Sequence, residues 1–186
     1  MNRRRLPIFL SLPLWLSACG DHLGEYQVKH VKLVHALPPA AIDGKSSQPG
    51  EYLRVELSSR TSLYAAQTGA GLYTDADFCP LRNRIRLIAF GPVASDENAV
   101  EDWKRKGPLT PDPRDNRYHY YVYLGPSSPP RKLLANWEDT IPAYDLRGQD
   151  RDVCLRFFIP GYNVIPSQSD VVRVSGETIA SAFKPA

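Results

Sequence analysis

Cysteine is scarce in this chain of 186 residues: only Cys19, Cys79 and Cys154 occur, and no two stand at the short spacing of a metal knuckle. The four histidines, His22, His30, His35 and His119, supply no ligand pair either. A structural zinc site needs such pairs and is not expected. No G-x-S-x-G elbow, H-E-x-x-H helix or phosphate-cradling glycine loop is present, so no catalytic residue and no cofactor are assigned. Asp75-Ala76-Asp77 opens like a calcium loop but continues Phe78-Cys79-Pro80, without the further oxygen ligands and glycine such a loop needs. The longest apolar stretch, Leu6 to Leu16, spans eleven residues and is broken by Pro7, Ser11 and Pro13. A membrane-spanning helix needs about twenty apolar residues, so this one is too short for a permanent span. Internal repeats and low-complexity tracts are also lacking.

Proline is plentiful, 17 of 186 residues, against an ordinary usage of ~5%. Proline interrupts helices and central strands, which implies short elements joined by loops. Glu51 to Ser58 is the clearest strand, with Leu53, Val55 and Leu57 alternating with Arg54, Glu56 and Ser58. Arg84 to Phe90, Arg117 to Leu124, Val153 to Ile159 and Val171 to Ser175 read as strands, and Ile179 to Phe183 as one more. In Glu25 to His35 the alternation changes phase between Val28 and Val31, which predicts a bulge or short break. Leu63-Tyr64 and Leu72-Tyr73 flank a Gly69-Ala70-Gly71 turn and predict a hairpin; Leu37 to Gly50 reads as a loop. Asp96 to Lys106 predicts a short helix, with Ser95 as cap and Gly107-Pro108 as stop, and Arg131 to Trp137 fits a helical face over barely two turns. Helices between successive strands, which a parallel sheet requires, are missing. The expected fold is mainly β: an antiparallel β-sandwich or barrel-like single domain with one or two short helices.

The start of the chain carries a location signal. Arg3-Arg4-Arg5 precede the apolar run, and Leu16-Ser17-Ala18-Cys19 closes it with small residues and a cysteine. Basic start, short apolar middle and small residues before a cut site make a secretory signal, and the box around Cys19 resembles the lipobox of bacterial lipoprotein precursors. The resemblance implies a signal peptide over residues 1–18, removed by cleavage before Cys19, and lipidation of Cys19. Residues 19–24 would then form a lipidated tether to a single β-rich domain at 25–186. Two or three acyl chains hold a protein on a bilayer far more firmly than one. Gly20, not Asp, follows Cys19, and by the lipoprotein sorting pattern this favours the inner leaflet of the outer membrane, facing the periplasm. Removing the three signal arginines takes the balance from 23 Lys+Arg against 20 Asp+Glu to 20 against 20. A neutral domain lacks the positive field that non-specific nucleic-acid binding requires, so no nucleic-acid partner is expected. With Cys19 lipidated, Cys79 and Cys154 remain as a pair in an oxidising compartment, and a disulfide between them follows.

Two groups of residues are candidates for partner binding. On a strand, His119, Tyr121 and Tyr123 share one face while Tyr118, Tyr120 and Val122 share the other, and one face would present aromatic rings with polar tips. Arg82, Arg84 and Arg86 share a parity opposite Ile85 and Leu87. They read either as a charged face that keeps a strand from pairing with other chains, or as an anion patch. His30 and His35, five apart, point to opposite faces of a regular strand. Together these features predict a membrane-anchored, non-catalytic binding module for a protein partner or envelope component, as an accessory of an envelope or secretion machine. The alternatives are an immunity or inhibitor lipoprotein that neutralises a periplasmic toxin or enzyme, and an envelope hydrolase whose catalytic residues are scattered.

Overall fold

The computed structural model describes residues 22–36, 49–63, 71–82, 85–94, 110–132, 140–160 and 166–184. Outside them lie the signal segment with Cys19, the turn at Gly69 and Ala70, Arg84, the segment read as a helix over Asp96 to Lys106, and Leu133 to Trp137. The elements are β1 (Gln27–Ala36), β2 (Gly50–Ser59), β3 (Tyr73–Phe78), β4 (Ala89–Val93), β5 (Tyr118–Leu124), β6 (Ser127–Ser128), β7 (Arg131–Lys132), β8 (Thr140–Ile141), β9 (Tyr144–Asp145), β10 (Val153–Ile159), β11 (Ser167–Gln168), β12 (Val172–Val174) and α1 (Gly176–Ala182). All named strand pairs are antiparallel. Among the described residues, no helix is long and apolar enough to cross a membrane.

Alternation builds the two main sheets. The first runs β1-β2-β5-β4; in the second, β10 is flanked by β11, β12 and β3. Leu53, Val55 and Leu57 of β2 and Tyr120, Val122 and Leu124 of β5 put one face of the first sheet into the core. Val153, Leu155, Phe157 and Ile159 of β10, with Ala76 and Phe78 of β3, do the same from the second sheet. The two inner faces meet in one hydrophobic cluster, the sandwich-like single domain that the strand pattern predicts. Tyr26, just before β1, packs edge-on to Phe157 of the second sheet at 4.9 Å and to Tyr120 of the first at 5.9 Å.

The phase change in β1 is a register shift between Val28 and His30. It falls before His30, so His30 and His35 stay on opposite faces. Several expectations about the elements need correction. Arg131-Lys132, read as the start of a helical face, is strand β7 and pairs with β8. The strand read at Arg84 to Phe90 is displaced: β4 starts at Ala89, and Arg86 sits at φ +44°, a left-handed conformation that breaks an extended run. Tyr73 to Phe78 is a strand instead of one arm of a local hairpin, and its partner is the distant β10. Ile179 to Phe183 is helical: the Ser175 hydroxyl accepts the Thr178 N–H at 3.2 Å, and Glu177 lies in the first turn. Asp152 supports this helix start by accepting the Gly176 N–H at 2.8 Å.

Residues 22–24, read as part of the tether, belong to the domain. Leu23 is buried in the core and its N–H donates to the Gln168 carbonyl at 2.9 Å; its own carbonyl accepts the Tyr26 hydroxyl at 2.6 Å. Gly24 has φ +92°, and a Cβ there would lie 2.3 Å from the Thr61 hydroxyl oxygen.

Cys79 and Cys154 are joined, with sulfurs 2.07 Å apart and Cα atoms 5.1 Å apart. Cys154 has the opposite parity to Val153 and Leu155, so the bridge lies on the outer face of the second sheet. It closes a sequence separation of 75 residues at the end of the β3-β10 ladder.

Candidate functional site

The outer face of the first sheet is assembled by register. Arg54 of β2 lies opposite Tyr123 of β5, which lies opposite Phe90 of β4. One step along, Glu56 faces Tyr121 and Tyr121 faces Val93. Beyond that, Ser58 faces His119. A sheet with one face in a core ordinarily turns polar residues outward. Here the outer face carries a second apolar cluster of Val93 and Tyr123, with Val34, Ala36, Tyr52, Phe90 and Tyr121 half-buried against it. Tyr52 meets Phe90 edge-on at 5.7 Å, and the Arg54 guanidinium lies 5.0 Å from the Tyr121 ring centre.

His119 is held at the border of this cluster. Its Nδ1 lies 3.3 Å from Glu56 Oε1 and its Nε2 lies 3.0 Å from Asp115 Oδ2. A ring protonated on both nitrogens donates to both carboxylates; a neutral ring has one donor and serves one. Asp115 reaches the ring because residues 112–117 form a tight loop, in which Asp112 and Arg117 bridge and Asn116 takes φ +53°. Arg114 clamps Asp112, its Nε at 3.0 and 3.1 Å from the two carboxylate oxygens and a terminal nitrogen at 2.6 Å. That guanidinium and the Arg114 N–H hold the Asp112 carboxyl well below the usual carboxylate range. These groups surround a half-open cavity of about 240 Å³ lined by Glu56, Thr110, Asp112, Arg114, His119 and Tyr121, among others.

Below the site, Tyr120 points into the core. Its hydroxyl accepts the Leu63 N–H at 2.9 Å and donates to the Thr61 carbonyl at 3.0 Å. Burial pushes it up to about 12. Tyr26 is raised further, chiefly by burial and secondly by Tyr120. These tyrosines fix the strand that presents His119 and Tyr121.

The predicted triplet therefore divides. His119 and Tyr121 are partly exposed and share the cavity wall, whereas Tyr123 is 1% exposed and is a packing residue. Arg82 and Arg86 are exposed, but the displaced strand removes the alternation that was to align them; Arg84 lies outside the described residues. The Arg86 carbonyl accepts from the Arg131 guanidinium, which ties that loop to β7. Sequence reading missed Glu56, Asp112, Arg114 and Asp115. The available signal was the alternation of Arg54 and Glu56 on the polar side of β2, together with the turn-rich run Asp112 to Arg117 just before β5.

The cavity offers carboxylates, an imidazole and a tyrosine ring in one half-open space. Each His119 nitrogen faces a carboxylate, the arrangement of a positioned hydrogen-bonding group. No group of three or more His, Cys, Asp or Glu residues able to hold a metal ion occurs among the described residues. No protein family, curated protein or solved structure matches this chain.

Proposed function

We propose that this chain is a lipid-anchored, periplasm-facing protein whose β-domain binds a protein partner, without catalysis, through the outer face of its first sheet. The observation that carries the binding reading is the aromatic and aliphatic cluster on the side of the sheet where polar residues are the rule. Tyrosine and arginine dominate the energetics of protein interfaces, because one end of each packs while the other hydrogen-bonds. Tyr52, Tyr121 and Arg54 place those residue types together, and the Glu56–His119–Asp115 chain beside them supplies a polar rim. The partner's contact residue would lay an apolar or aromatic side chain on Tyr121 and a hydrogen-bonding group in the adjoining cavity. The anchoring reading rests on the resemblance of Leu16-Ser17-Ala18-Cys19 to a lipobox, and Gly20 favours the outer membrane.

The two tyrosines separate binding from folding. Tyr121→Ala is expected to weaken capture of the partner from envelope extract about tenfold or more while lowering the melting temperature less than Tyr123→Ala does. Tyr123→Ala is expected to lower the melting temperature. Equal capture by wild type and the Tyr121 variant contradicts this placement of the interface.

A further inference from the structure

The chain enters the fold very soon after the lipidation box. His22 bridges Gln168 and its ring lies 3.0 Å from Asp170 Oδ1, while Leu23 is in the core. Only three peptide units separate Cys19 from His22, and three residues fully extended span at most about 10 Å. A domain tied at that distance cannot rotate freely above a bilayer. With Cys19 acylated, the end that carries His22 would be held against it.

That end has its own chemistry. The start of β1, the end of β2 and the start of β5 converge there, since Gln27 pairs with Ser58 and Ser59 pairs with Tyr118. Between them lies a cavity of about 320 Å³, lined among others by His22, Glu25, Arg60, Thr61 and Arg117. Arg60 is exposed and Arg117 half-buried, and neither guanidinium has an ion-pair partner among the described residues. Glu25 is the one carboxylate among the lining residues.

We infer that this end is a membrane-apposed face, and that Arg60 and Arg117 bind the phosphate of an anionic lipid headgroup beside the acylated Cys19. The inference deepens the proposed anchoring and rests on it. Arginine suits the task because its planar fork binds phosphate oxygens in pairs. A reach of about 10 Å also matches the Debye length of about 8–10 Å, within which surface charge is felt. Each cation held near an anionic bilayer strengthens its association about fivefold.

The experiment starts from the full chain expressed in its host, extracted from membranes and checked by intact mass. It is reconstituted into vesicles of phosphatidylglycerol and phosphatidylethanolamine, or of phosphatidylcholine alone, and amide exchange is followed. The expected result is about tenfold slower exchange over residues 59–62 and 115–118 on the phosphatidylglycerol vesicles alone. Arg60→Glu with Arg117→Glu should lose that protection while the acylated chain stays on the vesicles. Acylated protein whose exchange in these segments is the same on both vesicles, or unchanged by the double substitution, overturns the inference and leaves the anchor standing. Equal protection by inorganic phosphate without vesicles shows a free-anion site and overturns it too. A mass without acyl chains overturns the anchor, and the membrane-apposed face with it.

Discussion

Single residues divide into those that hold the strand and those that present the site. Tyr120 is the clearest holder, since its one hydroxyl serves two backbone groups, at Leu63 and Thr61, from across the sheet. Tyr120→Phe leaves a buried N–H and a carbonyl without that partner, and a loss of about 1–3 kcal/mol is expected in denaturant unfolding. The same burial fixes the alkaline limit. Tyr120 has its pKa raised in the folded state, so its contribution is fully present below the ordinary tyrosine value of about 10 and is lost as pH rises through about 12. Phenolate absorbance should therefore rise in two steps, exposed tyrosines first and Tyr26 and Tyr120 only with unfolding. A single step near the ordinary value, with the fold intact, would show these hydroxyls to be solvated. His119 was legible as a site residue because an imidazole among tyrosines stands out on a strand; its carboxylate partners were not, because they come from β2 and from a loop. Tyr123 misled because parity gives a face but not what packs on that face.

At the scale of elements, strands with clear alternation were legible: β2, β5 and β10 lie close to where the sequence puts them, and so does β1, whose single phase change was itself readable. The displaced ones each have a physical reason of their own. β3 carries Asp75 and Asp77, and aspartate is poor in strands. Asp75 is stabilised by Arg156 at 2.9 Å and Asp77 by the Phe78 N–H at 2.8 Å, partners supplied by the neighbouring strand and the local backbone. Helix α1 was read as a strand because its seven residues give too few turns for a helical period to show, although Ser175 and Glu177 are start signals. Its support has a pH signature. The Gly176 N–H, with Arg173 second, holds the Asp152 carboxyl below its ordinary range. The stabilisation is therefore present above about pH 4 and lost as pH falls through the depressed value. Exchange of the helix amides, relative to that of an unfolded chain at the same pH, should quicken as pH falls below the ordinary aspartate value of about 4, and Asp152→Asn should abolish that dependence. Gly176 admits no side chain: a Cβ would sit 2.3 Å from the Asp150 carbonyl. Gly176→Ala is expected to cost about 1–3 kcal/mol.

For the whole molecule, composition predicted the class of fold, since proline-rich loops and the lack of connecting helices leave antiparallel packing as the solution. The pairing of β3 with β10 could not be read, because it joins segments whose hydrophobic patterns say nothing about each other. The disulfide closes the same pairing. In the chain-entropy account, a loop of this length contributes about 4 kcal/mol. Reduction, or Cys79→Ser with Cys154→Ser, should lower the melting temperature by about 10 °C, while an unchanged melting curve would mean that the ladder alone holds the second sheet. The larger claim is that this domain works at a membrane, tied to it by residue 19. The intact mass of the chain extracted from membranes of its host tests that most directly. The account predicts a chain beginning at Cys19 and heavier by its acyl groups, with Cys19→Ala left unprocessed. A chain that retains residues 1–18, or begins at residue 19 with no added mass, would contradict it.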